Sequence, residues 1–389
     1  MLDYEPITIY LLEGCKGKRI FEFRNREIYN FGLLDSELKN RPFPNTTLLE
    51  WYDGAKRPLP WRQTKDPYLV WVSEVILQQT RVDQGMPYYL RFVERFPSLA
   101  SLAAAKEDEV LKHWEGLGYY SRARNLHFTA QHIHNELDGE FPDSHEALLK
   151  LKGIGQYTAA AISSIVFNLP VAAVDGNVYR VLSRFFGLKE SIDETATKRK
   201  IEQLAQHILS GKFPGDHNQA MMELGATVCV PIQPKCIVCP LQASCTSDLL
   251  QLQSLLPIRS KKTKVRERFF YYQIRISGDE TLIRRRTAGD IWQGLYEFPY
   301  LESEEKLSDS ELIKHLVLDN SDVVVSISSE FTHLLSHQRI FAKFVLIKAE
   351  RISICDLMRV KVSKLSSFAF PKLINRYIGT QGLVIDEEV

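Results

Sequence analysis

The spacing of apolar positions changes once along the chain, and the change separates two kinds of structure. From residue 46 to about 209, apolar residues recur at helical intervals, interrupted by Pro60, Pro67, Pro97, Pro142 and the pair Gly153 and Gly155. This stretch is predicted to be all helical. Beyond about residue 268 the period falls to two: Phe270, Tyr272, Ile274 and Ile276 alternate with their neighbours, and Ser277-Gly278-Asp279 supplies a turn before a strand at 281–284. Further strands are predicted at 323–327 and 340–347, with a helix at 308–318, which makes this region an α+β domain. Ahead of the helical stretch, 7–12 and 19–23 are strand-like, and Pro42 and Pro44 close a segment that carries no motif.

Length and composition fit that division. A chain of 389 residues corresponds to two or three domains of ordinary size. With 44% hydrophobic and 25% charged residues it is not disordered, collagen-like or of low complexity. Lys plus Arg number 49 against 48 Asp plus Glu, so any affinity for polyanions must come from local patches. One basic run, at 257–268, carries Arg259, Lys261, Lys262, Lys264, Arg266 and Arg268 against Glu267 alone. Such a run is usually a solvated linker, and on a DNA-binding protein it would lie near phosphates. No apolar run reaches the roughly 20 residues of a membrane span, and the first residues carry acids where a signal peptide is positive. A soluble, cytoplasmic protein with no membrane partner is expected.

Four of the six cysteines lie between 229 and 245, whereas Cys15 and Cys355 stand alone. The spacing Cys229-x6-Cys236-x2-Cys239-x5-Cys245 suits a metal or cluster site in a reducing compartment. Four soft ligands fit zinc or iron and sulfur. Only Cys236 and Cys239 form the CxxC pair that four-cysteine zinc sites usually double, which counts against zinc and, together with the family resemblance of the chain, favours a [4Fe–4S] cluster. A second signal is Leu151-Lys152-Gly153-Ile154-Gly155-Gln156-Tyr157, where two glycines precede a helix whose free N–H groups would favour a phosphate. Asp175-Gly176-Asn177 follows before another helix, so Asp175 is an N-cap whose carboxylate the helix terminus should keep ionised. Glu74 stands among Trp71, Val72, Val75 and Ile76, either on an exposed edge of its helix or with a raised pKa. An acid paired with an ionised carboxylate is the equipment for cleaving a glycosidic bond.

Those residues, with Leu59-Pro60-Trp61-Arg62, the run Trp71 to Thr80, and Gly116-Leu117-Gly118-Tyr119-Tyr120, resemble the MutY family of adenine DNA glycosylases in the helix-hairpin-helix superfamily. The resemblance runs over residues 48–246. Residues 268–378 look like that family's Nudix-like domain, through Ile291 to Pro299 and Leu335-Ser336-His337. The implied organisation is a 1–45 extension of unknown role, a 46–228 helical glycosylase domain, a 229–246 cluster loop, a 247–267 basic linker, the 268–378 Nudix-like domain and a 379–389 tail. The resemblance implies a monomer that removes adenine opposite 8-oxoguanine or guanine in duplex DNA. By position, Glu74 would protonate the adenine and Asp175 would stabilise or trap the sugar cation, with Tyr157 and Asn177 in support. Arg57, Trp61, Arg62, Leu77, Thr80 and Val82 would bind around the adenine, Gln79 and Tyr119 would wedge into the stack, and Gly153 and Gly155 would meet phosphate. Ser336 and His337 would contact 8-oxoguanine, and the four cysteines would hold the cluster.

The chain departs from the family pattern at Leu335, where a phenylalanine is usual. Tyr157 occupies the position of the lysine that endonuclease III-like lyases use as nucleophile, which disfavours that alternative. Counting from Gly294, the positions of the Nudix metal-binding carboxylates hold Tyr300 and Ser308-Asp309, so nucleotide pyrophosphatase activity is not expected. A non-catalytic DNA-binding protein on the same fold is the remaining alternative. His333 and His337 lie four apart, but no third ligand completes a metal set.

Overall fold

A computed structural model describes residues 38, 40–260, 265–287, 289–352, 356–381 and 383. The strand-like runs expected at 7–12 and 19–23, Cys15, Cys355, Lys261, Lys262 and Lys264 lie outside the described residues. Two compact units are present: one joins the described residues up to Lys56 with Val174–Ser260, and the other joins Arg57–Ala173 with the chain beyond Ser260. No helix among the described residues is long and apolar enough to cross a membrane.

In the second unit the helices before Val174 are, in chain order after α1 (Asn45–Ala55) of the first unit, α2 (Pro67–Leu77), α3 (Val82–Arg95), α4 (Leu99–Ala104), α5 (Glu107–His113), α6 (Ser121–Glu136), α7 (His145–Leu148) and α8 (Gln156–Ile165). Asp66 starts α2 as expected, its Oδ1 accepting from the Tyr68 N–H at 2.8 Å, with Pro67 in the first turn. Helix α2 is apolar on nearly every side, so it is buried at the centre, against α3, α6 and α8.

The same unit contains a mixed sheet: β1 (Arg266–Ser277), β2 (Glu280–Arg285), β3 (Tyr296–Glu297), β4 (Tyr300–Ser303), β5 (Val323–Ile327), β6 (Phe331–Leu334), β7 (Gln338–Lys348) and β8 (Met358–Lys361). Strand β1 pairs antiparallel with β2 and β4 and parallel with β7, placing Tyr272 beside Phe344. The alternating residues Phe270, Tyr272 and Ile274 face one core. Tyr271, on the opposite face, is also buried, beneath the helix Asp309–His315. Arg268, expected in the solvated basic run, is instead buried, with its guanidinium paired to Asp290 and Glu302. This unit also ties its helices to its sheet: Glu115 accepts from the Phe370 N–H at 2.7 Å, Lys112 donates to the Phe368 carbonyl, and Arg124 donates to the Gln293 carbonyl.

The first unit is helical. Here α9 (Gly176–Phe186) precedes α10 (Thr195–Ile208), α11 (Pro214–Thr227) and α12 (Thr246–Leu249), and α9 packs on α11. Val178, Val181, Leu182, Phe185 and Phe186 form the buried stripe of α9. Arg41 docks the start of the described chain here, lying 4.8 Å over the Phe185 ring and donating to Thr246 Oγ1 at 2.6 Å and to the Ser244 carbonyl.

Candidate active site and cysteine loop

Glu74 is the one acidic side chain on α2 and is only 6% exposed, which settles the choice between an exposed edge and burial. Trp61 lies edge-on to Tyr89 at 4.9 Å, and Leu77 and Val82 pack against the same core. Arg62 donates to the Arg57 carbonyl at 3.2 Å, and Gln78, just past the end of α2, reaches Thr158 on α8 at 3.2 Å. Tyr157, near the start of α8, packs on a small core of Val70, Ala160, Ala161, Ile165 and Ala173. Within this unit the fold therefore brings the surroundings of Glu74 together with the glycine hairpin.

Gly155 is the N-cap of α8, and its surroundings are open. Gly153 has φ +81, and a Cβ there would meet Asn125 Cβ at 2.6 Å, so both conformation and space require glycine. The two wedge candidates share an unexpected property. Gln79 and Tyr119 are exposed and adopt positive φ of 56 and 49, a conformation that costs a non-glycine residue about 1–3 kcal/mol and collects at functional sites. Thr80 lies beside Gln79, its hydroxyl 3.4 Å from the Gln78 carbonyl.

Asp175 caps α9 as expected, accepting from the Asn177 and Val178 N–H groups at 2.9 and 2.8 Å and from Asn177 Nδ2 at 2.7 Å. Its pKa does not follow the sequence expectation. Burial pushes the carboxyl up from the ordinary value, and outweighs the hydrogen bonds and the Arg180 charge that pull it down. A chain of contacts leads from this carboxylate to the cysteines: Arg180 donates to Asn177 Oδ1 and to the Cys229 carbonyl, each at 2.8 Å. Sequence reasoning missed Arg180 and also Arg184, which is 2% exposed and donates to the carbonyls of Leu256, Val230 and Pro231.

Cys229, Cys236, Cys239 and Cys245 line one cavity and form no disulfide. Among the described residues no three histidines, cysteines or carboxylates are gathered as a single-ion site. The donors around the sulfurs suit thiolates: Arg184 lies 3.4 Å from Cys229 Sγ and Gln253 Nε2 is 3.9 Å from Cys236 Sγ. Backbone N–H groups of Leu241 and of Ser247 and Asp248 reach Cys239 and Cys245. Burial nevertheless pushes the Cys239 thiol up to about 12, so a thiolate there calls for a bound cation. The Asp248 carboxylate, beside Cys236, and the neighbouring sulfurs oppose this.

Ser336 and His337 occupy the turn between β6 and β7, exposed, with Ser336 Oγ 3.2 Å from His337 Nδ1. His333 instead packs edge-on to Trp292 at 5.7 Å.

Comparison with known proteins identifies the family. Residues 72–207 match the model of the HhH-GPD superfamily of base excision DNA repair proteins, and residues 271–380 match a NUDIX domain. The adenine DNA glycosylase of Buchnera aphidicola from Acyrthosiphon pisum is 33% identical over 291 residues, which cover 75% of this chain and 83% of that protein. The chain belongs to the adenine DNA glycosylase family. The mouse adenine DNA glycosylase is 46% identical over 209 residues, 51% of this chain and 41% of the relative. A solved thermostable thymine-DNA glycosylase aligns with 53% of this chain and 95% of its own, at 27% identity and a TM-score of 0.48. As an adenine DNA glycosylase family member, the chain has the expected architecture, a helical HhH-GPD region followed by a Nudix-like α+β sheet region.

Proposed function

We propose that the protein is a monomeric DNA glycosylase that removes adenine mispaired with 8-oxoguanine or guanine from duplex DNA. The observation that carries this reading is the buried Glu74, the one charged side chain of its helix, in a chain of the adenine DNA glycosylase family. A base inside the duplex is out of reach of any side chain, so it must be extruded and the gap in the stack filled. Gln79 and Tyr119, exposed on turns, take that role. Arg57, Trp61, Arg62, Leu77, Thr80 and Val82 bind around the extruded adenine, while the Gly153 and Gly155 backbone receives phosphate.

Cleavage of the N-glycosidic bond sends its electron pair to the base and leaves positive charge on the sugar. Glu74, protonated, donates its proton to the imidazole ring of the adenine, so that the base departs neutral. Asp175, held by Asn177, supplies the negative charge that stabilises the sugar cation, and Tyr157, in the unit of Glu74, is a supporting residue. An anion kept against a burial penalty is strongly stabilised when a cation develops beside it. Ser336 and His337 read the 8-oxoguanine. The donor set round Cys229, Cys236, Cys239 and Cys245 fits a [4Fe–4S] cluster, which when bound fixes the fold of its loop.

Incubation with duplexes carrying A opposite 8-oxoguanine, A opposite G, and thymine glycol tests the reading. Adenine should be released from the first two, with strands cut only after alkali. Thymine glycol excision, or cutting without alkali, would indicate a lyase instead.

A further inference from the structure

We infer that Arg122 is a positioning residue for strand opening, one guanidinium fixing the backbone of both wedges, Gln79 and Tyr119. The inference rests on the reading of those two residues as wedges and explains how they are held. Arg122 lies in the first turn of α6 and is 9% exposed. Its partners are backbone oxygens rather than a carboxylate. Nη1 lies 2.7 Å from the Val75 carbonyl, 3.0 Å from that of Ile76 and 2.7 Å from that of Gln78, while Nη2 lies 3.1 Å from the Gly118 carbonyl. The Gln78 and Gly118 carbonyls belong to the peptide groups that enter Gln79 and Tyr119. Those planes form one side of the φ rotations of Gln79 and Tyr119, the Thr80 N–H on the Leu77 carbonyl at 3.1 Å and the Arg122 N–H on the Tyr119 carbonyl hold the other, and both rotations are in the left-handed region.

Other contacts of the same side chain agree. The guanidinium stands 5.5 Å from the Tyr119 ring centroid and 5.3 Å from that of Trp114, and the Arg122 N–H donates to the Tyr119 carbonyl at 2.9 Å. Burial lowers its pKa to about 10, so the fold keeps a costly cation where a planar fork can span two segments.

The test compares Arg122→Met and Arg122→Lys on two duplexes, one with adenine opposite 8-oxoguanine and one with adenine opposite an abasic analogue, where no partner base must be parted. On the first duplex, single-turnover excision and the fluorescence rise of a 2-aminopurine beside the target should fall roughly 10- to 100-fold for Arg122→Met. On the second, the variant should come within about threefold of wild type, because the step that needs the clamp is bypassed. Arg122→Lys, whose single ammonium cannot span both segments, should be intermediate, and it carries the same comparison if Arg122→Met does not fold. Equal losses on both duplexes, or wild-type opening by the lysine variant, would overturn the inference. The Gln79→Ala, Tyr119→Ala double variant separates the two levels. Normal opening by that pair removes the wedge reading and the inference together, whereas impaired opening by the pair with normal opening by the Arg122 variants removes the inference alone.

Discussion

Gly153 and Gly155 sit two residues apart in one hairpin and differ in backbone conformation and in the space around them. Alanine at 153 must adopt φ +81, which costs an ordinary residue about 1–2 kcal/mol. Its Cβ would also stand 2.6 Å from Asn125 Cβ. Asn125 lies within α6 and its Cβ cannot swing aside, so overpacking adds about 1–3 kcal/mol. The sum, about 2–5 kcal/mol, corresponds to a fall in Tm of roughly 5–15 °C for a unit of this size. At Gly155 φ is −89 and no atom lies within 4 Å of the added Cβ, so Gly155→Ala should leave Tm unchanged or raise it slightly through the unfolded chain. Its methyl group would project into the open space before the α8 N-terminus, where phosphate is proposed to approach. Thermal unfolding and duplex titration at one fixed salt concentration read the two effects separately. Gly153→Ala should lose stability, and Gly155→Ala should lose affinity without losing stability. Unchanged Tm in the first variant, or unchanged affinity in the second, would refute the division.

Asp175→Asn should lose excision by orders of magnitude yet unfold at a higher temperature than wild type at pH 7, since asparagine also caps helices and burial penalises the wild-type anion. The raised pKa makes the wild type regain stability as pH falls through it, so the two proteins should converge below the ordinary aspartate value of about 3.9, as calorimetry across pH would show. Ser336→Ala with His337→Ala should reduce the preference for 8-oxoguanine over guanine by roughly 10- to 100-fold, the worth of one or two neutral hydrogen bonds, while excision opposite guanine persists; an unchanged ratio of affinities would count against the turn as reader. The purified protein should be brown and carry about four irons per chain, and a colourless, active preparation with one zinc would contradict the cluster.

What could be read from sequence was local. The caps at Asp66 and Asp175, the hairpin glycines and strands β1, β2, β5 and β7 follow from neighbouring residue types and period. Strands β3, β6 and β8, of two to four residues, are too short to show a period. The buried Arg122 and Arg184 and the half-buried Arg180 were not legible, because they are satisfied by carbonyls mostly far along the chain, and in sequence each resembles a surface charge. The positive φ of Gln79 and Tyr119 has no compositional mark, since neither is glycine. Asp175 shows the limit of local reasoning most clearly: the helix terminus predicts a lowered pKa, and burial by the folded unit reverses the direction.

The central claim is that Glu74 donates the proton that releases adenine, and single-turnover excision by Glu74→Gln from a duplex carrying A opposite 8-oxoguanine tests it most directly. The amide keeps the shape of the side chain and removes the acidic proton. Duplex affinity at fixed salt should remain near wild type, while excision slows by about 100-fold or more. Adenine release by the bound variant at close to the wild-type rate would contradict the assignment of Glu74 as the acid.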